Sequence, residues 1–243
     1  MNSDRPIVQR LRDANEVASQ VAEDTLTLIR DLLKVKNAVH LCVTGGTVGI
    51  ATLAAMAAKS KLIDIDYKKL HVWWGDERFV PKSHPDRNAF QARSAWLNFI
   101  DIPAENIHEF PSSDEGFDLE TAAESFNTHY GHVNPSFDLV LLGMGPDGHI
   151  NSLFPGKPIP LPGVAVIAEH DSPKPPPQRL SFTYEVVNGA DRIWITVAGA
   201  DKQDAVEVAF GENPEKLPIG RIRGKIETKW YLDSTAATKV FGC

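Results

Sequence analysis

One segment limits the folds open to this chain more than any other: residues 137–156, FDLVLLGMGPDGHINSLFPG. Its apolar run FDLVLL, with β-branched content, reads as a buried strand. Gly143, Gly145 and Gly148 follow, with Asp147 and His149 set among them. Glycine lets a backbone turn sharply and approach a ligand closely, and a histidine titrates near neutral pH and can move protons. The segment therefore predicts a strand that delivers a proton-transfer group to an exposed, glycine-lined rim. The spacing Gly143-x-Gly145-x-x-Gly148, with Glu169 about 20 residues on, also fits a dinucleotide-binding fingerprint. That fingerprint needs a helix directly after the glycines, and Pro155, Pro158, Pro160 and Pro162 occupy the stretch instead. Each proline removes a helical N–H and clashes with the preceding turn, at about 3 kcal/mol or more. These prolines argue strongly against a crossover helix there, and against the dinucleotide reading with it.

The rest of the chain alternates. Residues 15–34 carry Val17, Val21, Leu28, Leu32 and Leu33 at helical spacing. Residues 38–44 (AVHLCVT) predict a strand, 51–59 a helix, 70–76 a strand ending at Gly75, and 86–99 a helix with Asp86 as its cap. A short strand over 107–110, a helix over 118–130 and the strand of the glycine segment follow. Strands are expected over 163–169, 179–184, 192–199 and 228–233, with a helix over 201–210. Strands alternating with helices imply a three-layer α/β/α fold with a mostly parallel, Rossmann-like sheet covered on both faces. Ligands in such folds sit beyond the carboxyl ends of the strands. No repeat and no composition break is visible, so residues 1–243 are expected to form a single domain.

Charge and cysteine content narrow the function. A net charge of −7 argues against broad nucleic-acid binding, which needs a basic surface. A small anionic ligand stays open, because a few local Lys or Arg residues outweigh a weak global field. The two cysteines, Cys42 in an apolar run and Cys243 at the terminus, read as a core thiol and a loose end, suiting a reducing compartment. The polar N-terminus lacks the apolar core of a signal peptide, and no run approaches a membrane span. A cytoplasmic protein is the expectation.

Four predicted strand ends carry unusual chemistry. Thr44, Gly45, Gly46 and Thr47 stand between a strand and a helix, where bare N–H groups and the helix dipole form an anion site; the alternative is a tight turn. Trp74 to Arg78 (WGDER) ends another strand. Arg78 can grip a phosphate through two parallel hydrogen bonds, with Asp76 and Glu77 orienting it or binding sugar hydroxyls; a structural ion-pair cluster is the alternative. Asn88 and Arg93 either extend that site or face solvent. The third end is the glycine loop, where His149 can abstract a proton and Asp147 can orient its ring. The fourth is Lys174 to Arg179 (KPPPQR), either a rigid extended arm carrying two cations over a cleft or a solvated basic loop. Residues 220–225 (GRIRGK) add a further basic patch. The remaining histidines show no metal-ligand spacing.

Taken together, TGGT, WWGDERFVPKSHPDRNAFQAR, FDLVLLGMGPDGHINSLFPG and SPKPPPQRLSFT, in that order, resemble the 6-phosphogluconolactonase family over nearly the whole chain. The resemblance implies a Rossmann-like sheet related to glucosamine-6-phosphate deaminases. It implies hydrolysis of 6-phospho-D-glucono-1,5-lactone to 6-phosphogluconate, the second step of the oxidative pentose phosphate pathway, without metal or organic cofactor. It also implies roles: His149 as general base with Asp147 beside it, Arg78 and the Gly45-Gly46-Thr47 turn on the phosphate, and Arg179 and Lys174 on the substrate. TGGTVG departs from the serine and nearby proline common in the family's first glycine turn. The expected partner is a sugar-phosphate lactone, with no nucleic acid or membrane, bound by a monomer or weak homo-oligomer.

The chemistry implied is water attack on a lactone carbonyl, with neutral His149 taking the proton and the amides of residues 145–148, or a nearby cation, stabilising the oxyanion. Activity is expected to fall as pH drops through about 6 to 7. A deaminase is the nearest rival, but that family has a carboxylate five residues after the histidine, and this chain has Phe154. A non-catalytic sugar-phosphate sensor is the second; such regulators usually carry an added DNA-binding segment, for which the short N-terminus leaves no room.

Overall fold

A computed structural model describes residues 6–241. Cys243 and residues 1–5 of the N-terminal stretch lie outside the described residues. In chain order the elements are β1 (Ile7–Leu11), α1 (Ala14–Leu33), β2 (Val39–Val43), α2 (Gly46–Lys59), β3 (Leu70–Trp74), β4 (Asp76–Arg78), α3 (Asn88–Ala95), β5 (Ile107–His108), α4 (Leu119–Val133) and β6 (Leu139–Gly143). They continue with β7 (Val166–Glu169), β8 (Arg179–Phe182), α5 (Tyr184–Asn188), β9 (Arg192–Val197), α6 (Gln203–Ala209), β10 (Glu227–Asp233) and α7 (Ser234–Phe241).

Seven strands form one sheet in the order β1-β10-β9-β6-β2-β3-β5, and every pairing in it is parallel. A parallel sheet buried on both faces needs near-continuous apolar strands, and VHLCV, LHVWW and LVLLG supply them. The chain runs outward from β2 to β3 and β5, then returns to place β6 on the other side of β2. The order therefore reverses between β2 and β6, and the loops leaving those two strands part to open a crevice at the sheet's carboxyl edge.

Beside α5 and α7, helices for which the sequence raised no expectation, four features differ from the sequence expectations. First, β1 pairs along β10 as an edge strand; its partly exposed IVQRL lacks the continuous apolar run of the buried strands. Second, the strands expected over 163–169 and 179–184 leave the main sheet. As β7 and β8 they join β4 in a three-stranded antiparallel sheet, order β4-β8-β7. Third, α2 begins at Gly46, so the glycine turn is itself the helix start. Fourth, the cap position of α3 is Arg87 rather than Asp86, and no local side chain caps it. The service comes from a distance: Glu77 accepts the Asn88 and Ala89 amides at 2.7 and 2.8 Å. By contrast α4 has a local capping box, Asp118 with Thr121. Among the described residues no helix is long and apolar enough to cross a membrane.

Candidate active site

The crevice contains a cavity of about 620 Å³. Its wall includes Gly45, Gly46 and Thr47 from the start of α2, Asp76 and Arg78 from β4, His149 from the loop after β6, and Lys174 and Arg179 from the start of β8 and the arm before it. Segments far apart in sequence thus meet at one place.

His149 and Asp147 are in direct contact: the ring's Nδ1–H donates to Asp147 Oδ1 at 2.5 Å. That bond fixes the tautomer and leaves Nε2 as the basic nitrogen. The loop holds the pair by backbone bonds, with Gly145 N donating to His149 O at 2.9 Å and Gly148 N to Gly145 O at 3.0 Å. Residue 145 has to be glycine, since a Cβ there would stand 2.0 Å from the imidazole. Burial lowers the His149 pKa below the ordinary histidine value; Asp147 pulls it back up by hydrogen bond and charge, and the Lys174 cation pushes it down again. Burial raises the Asp147 carboxyl, but its bond to His149 and the imidazole's charge outweigh that and leave it below the ordinary range. Phe154, 4.8 Å from His149 between ring centroids, is part of what dehydrates the imidazole.

The same backbone bonds remove expected oxyanion donors. Two amides of residues 145–148 are spent inside the loop, and Pro146 has none. The cation nearest in effect is Lys174, whose charge acts on His149.

Arg179 differs from expectation in its contacts. Its Nε donates to Pro176 O at 2.7 Å, and Nη2 to Lys174 O and Pro175 O at 3.1 and 3.2 Å. The arm is thus a curled loop pinned by Arg179, closed by Ser172 N donating to Pro177 O at 3.0 Å. The β4–β8 register sets Arg179 directly opposite Arg78. Like charges in that position repel. The buried Arg179 has its pKa lowered, first by burial, with Asp76 opposing and Arg78 adding to the fall.

Arg78 is aimed by Nη1, which donates to Asp86 O at 2.6 Å and Asn88 Oδ1 at 2.8 Å. Asp76 lines the cavity but is engaged, accepting from Ser152 Oγ at 2.7 Å and Asn88 Nδ2 at 3.3 Å. Glu77 is wholly buried and capping α3, with Arg87 at 3.8 Å, so it is structural rather than a sugar ligand. Burial pushes its carboxyl up, against Arg87 and the amides it accepts from. Asn88 belongs to the wall, whereas Arg93 pairs with Glu109 at 2.5 Å, and residues 220–225 do not line the cavity. Glu169, the acid of the rejected fingerprint, bonds Lys157 at 2.9 Å.

The first turn of α2 has no side-chain cap, which leaves its amides and dipole facing the cavity at Gly46 and Thr47. Sequence reasoning missed Lys202, which lines the cavity from the turn after β9 and pairs with the exposed Asp201 at 3.0 Å. The signal was available: Gly199-Ala-Asp-Lys202 is another strand end opening into a helix. Among the described residues no cluster of His, Cys, Asp and Glu is arranged to hold a metal ion. Cys42 is buried in β2, where burial raises its thiol pKa.

A base, a ring of cations and a helix start around one cavity suit an anionic substrate with an acyl centre. Comparison with known proteins agrees. The family profile described as glucosamine-6-phosphate isomerases/6-phosphogluconolactonase matches residues 12–230. The chain is 41% identical over 210 residues to a 6-phosphogluconolactonase of Mycobacterium tuberculosis, covering 82% of this chain and 84% of that protein. It is 37% identical over 254 residues to one of Streptomyces coelicolor, covering 98% and 96%. The crystal structure of a 6-phosphogluconolactonase from Thermotoga maritima superposes with a TM-score of 0.83 at 24% identity, covering 95% of this chain and all of that one, which speaks for the fold.

Proposed function

The chain belongs to the family of glucosamine-6-phosphate isomerases and 6-phosphogluconolactonases, and from that premise we infer that it hydrolyses 6-phospho-D-glucono-1,5-lactone to 6-phosphogluconate with His149 as general base. The observation that carries the reading is the Asp147–His149 bond, which leaves Nε2 basic on an imidazole in the wall of a cavity also lined by Arg78, Arg179, Lys174 and Lys202. Phosphate binds where Arg78 and the uncapped first turn of α2 line the cavity, a wall to which Lys202 adds a further cation. A dianion at Arg78 also offsets the repulsion that the facing Arg179 exerts on it. Anchoring the far end of the sugar holds the lactone carbonyl beside the base, which converts binding energy into orientation.

Neutral His149 takes a proton on Nε2 as water adds to the carbonyl carbon. Asp147 holds the ring and stabilises the imidazolium that forms. The ammonium of Lys174, whose backbone carbonyl Arg179 holds, stabilises the oxyanion. The tetrahedral intermediate then collapses: the bond from carbon to ring oxygen breaks, and imidazolium returns its proton to that oxygen. Phe154 occupies the position where the related deaminases carry a carboxylate, and it gives His149 an apolar neighbour rather than a second acid. One domain, as a monomer or weak homo-oligomer in the cytoplasm, suffices for this chemistry.

The test is a paired assay. Lactone opening above its spontaneous rate, with no ammonia released from glucosamine 6-phosphate, is expected. Ammonia release without accelerated lactone opening would overturn the assignment.

A further inference from the structure

Asn151 stands two residues beyond His149 in the cavity wall, and nothing in the reaction as described uses it. Its side-chain Oδ1 and Nδ2 are both buried, and neither has a hydrogen-bond partner. Buried polar atoms without partners are few in native proteins, because each forfeits its hydration for nothing, and those that persist call for a reason. Here two fall on one amide. The backbone beneath it is also unusual: φ is +49°, the left-handed region that few residues other than glycine enter, although asparagine does so more readily than most.

The surroundings accommodate this side chain without satisfying it. A Cβ on Gly75, just past the end of β3, would meet Asn151 Oδ1 at 2.3 Å and Nδ2 at 3.0 Å, so only glycine there leaves room for the amide. The polar groups of the adjoining Ser152 are already paired. Asp76 takes the Ser152 hydroxyl, and Ser152 N donates to Ser181 Oγ at 3.3 Å. The amide is left with both a donor and an acceptor unused, beside the catalytic base.

We propose that Asn151 is a specificity-determining residue that recognises a ring hydroxyl of the sugar. A hydroxyl is donor and acceptor at once, and a carboxamide offers the complement of each. The cations of the site read the phosphate and His149 addresses the carbonyl; the hydroxyls between them are what separates a sugar lactone from other phosphorylated esters. A site built to hydrogen-bond a hydroxyl rejects ligands that lack it, because its own buried groups are then left unpaired. The inference rests on the lactone reading given above.

Asn151→Gly removes the amide and suits the left-handed backbone. Its melting temperature is expected to equal or exceed that of the wild type. Its calorimetric affinity for 6-phosphogluconate is expected to fall at least about tenfold, while inorganic phosphate binds both proteins equally. A variant that keeps 6-phosphogluconate affinity within about twofold overturns the inference and leaves the lactone reading standing. A variant that melts earlier and loses affinity for phosphate and 6-phosphogluconate alike also overturns it, since Asn151 is then structural. A wild-type protein that neither binds 6-phosphogluconate nor opens the lactone overturns both, and the wild-type assay alone tells that case from the others.

Discussion

His149 and the row formed by His40, His71, His108 and His129 put one side chain to opposite uses. At the rim, His149 bonds a carboxylate. In the row, imidazoles meet other rings: His40 and His71 stack at 4.6 Å, His71 Nδ1 lies 3.1 Å from His108 Nε2, and His108 Nδ1 lies 2.9 Å from His129 Nε2. Trp73 stacks on His108 at 3.8 Å and donates its Nε1–H to His40 Nδ1 at 3.2 Å. Burial and then the neighbouring His71 hold His40 down to about 4, against the charge of Asp138, and burial and the neighbouring histidines hold His108 down to about 3. At His149 burial acts the same way, but Asp147 opposes it. Burial among other rings makes an imidazole a neutral packing element. Burial beside a carboxylate leaves it able to accept a proton when the reaction supplies one.

The sharpest way to break the comparison is His149→Ala. General-base catalysis contributes roughly 10²- to 10⁴-fold, so kcat for lactone hydrolysis, corrected for spontaneous opening, is expected to fall by about that factor, with KM and melting temperature little changed. A variant that keeps turnover and loses stability instead would move His149 into the same class as the row.

The two regions were unequally legible in the sequence. The rim announces itself, because glycine, aspartate and histidine crowd into one loop after an apolar run, and local density is what a sequence displays. The row does not: its members sit on β2, β3, β5 and α4, and only the β2–β3–β5 order brings them together. The same limit explains the other misses. Residues 179–182 look like a strand from their composition, but composition names no partner, and the pairing with β4 that faces Arg179 with Arg78 is tertiary. Glu77 looks like a member of a surface charge cluster until α3 arrives to be capped by it. Asn151 was invisible for a different reason. An amide in a loop is unremarkable until its atoms are seen to lack partners.

Asp147→Asn sharpens the contrast by making His149 resemble the row. Asp147 raises the His149 pKa against burial and Lys174. Without that charge the pKa drops further, so the acid limb of kcat/KM moves to lower pH. In the wild type that limb already lies below the ordinary histidine value, since the net shift is downward. The variant's rate at neutral pH falls as well, because the imidazolium formed in the transition state loses its counter-charge. A limb that moves to higher pH, or stays in place, would mean that Asp147 does not act on the base.

The smallest expected effect belongs to the row itself. All four of its histidines have folded pKa values below the ordinary 6.5. The unfolded chain therefore binds more protons than the folded one below that pH, and stability rises with pH there. The row's contribution is complete above about 6.5 and drains as pH falls towards about 4 for His40 and about 3 for His108. His108→Phe keeps a ring against Trp73 and removes the deepest of these titrations. It also leaves His71 and His129 without their middle partner, so its melting temperature at pH 7 should be lower than the wild type's; the informative quantity is the slope. Between pH 7 and pH 5 the wild-type melting temperature should fall further than the variant's, by a few degrees at about 2–4 °C per kcal/mol for a chain of this size. kcat at pH 7.5 should be unchanged, since the row does not line the cavity. Parallel slopes would show that these rings are already hydrated in the folded state, and that it is packing rather than burial which separates them from His149.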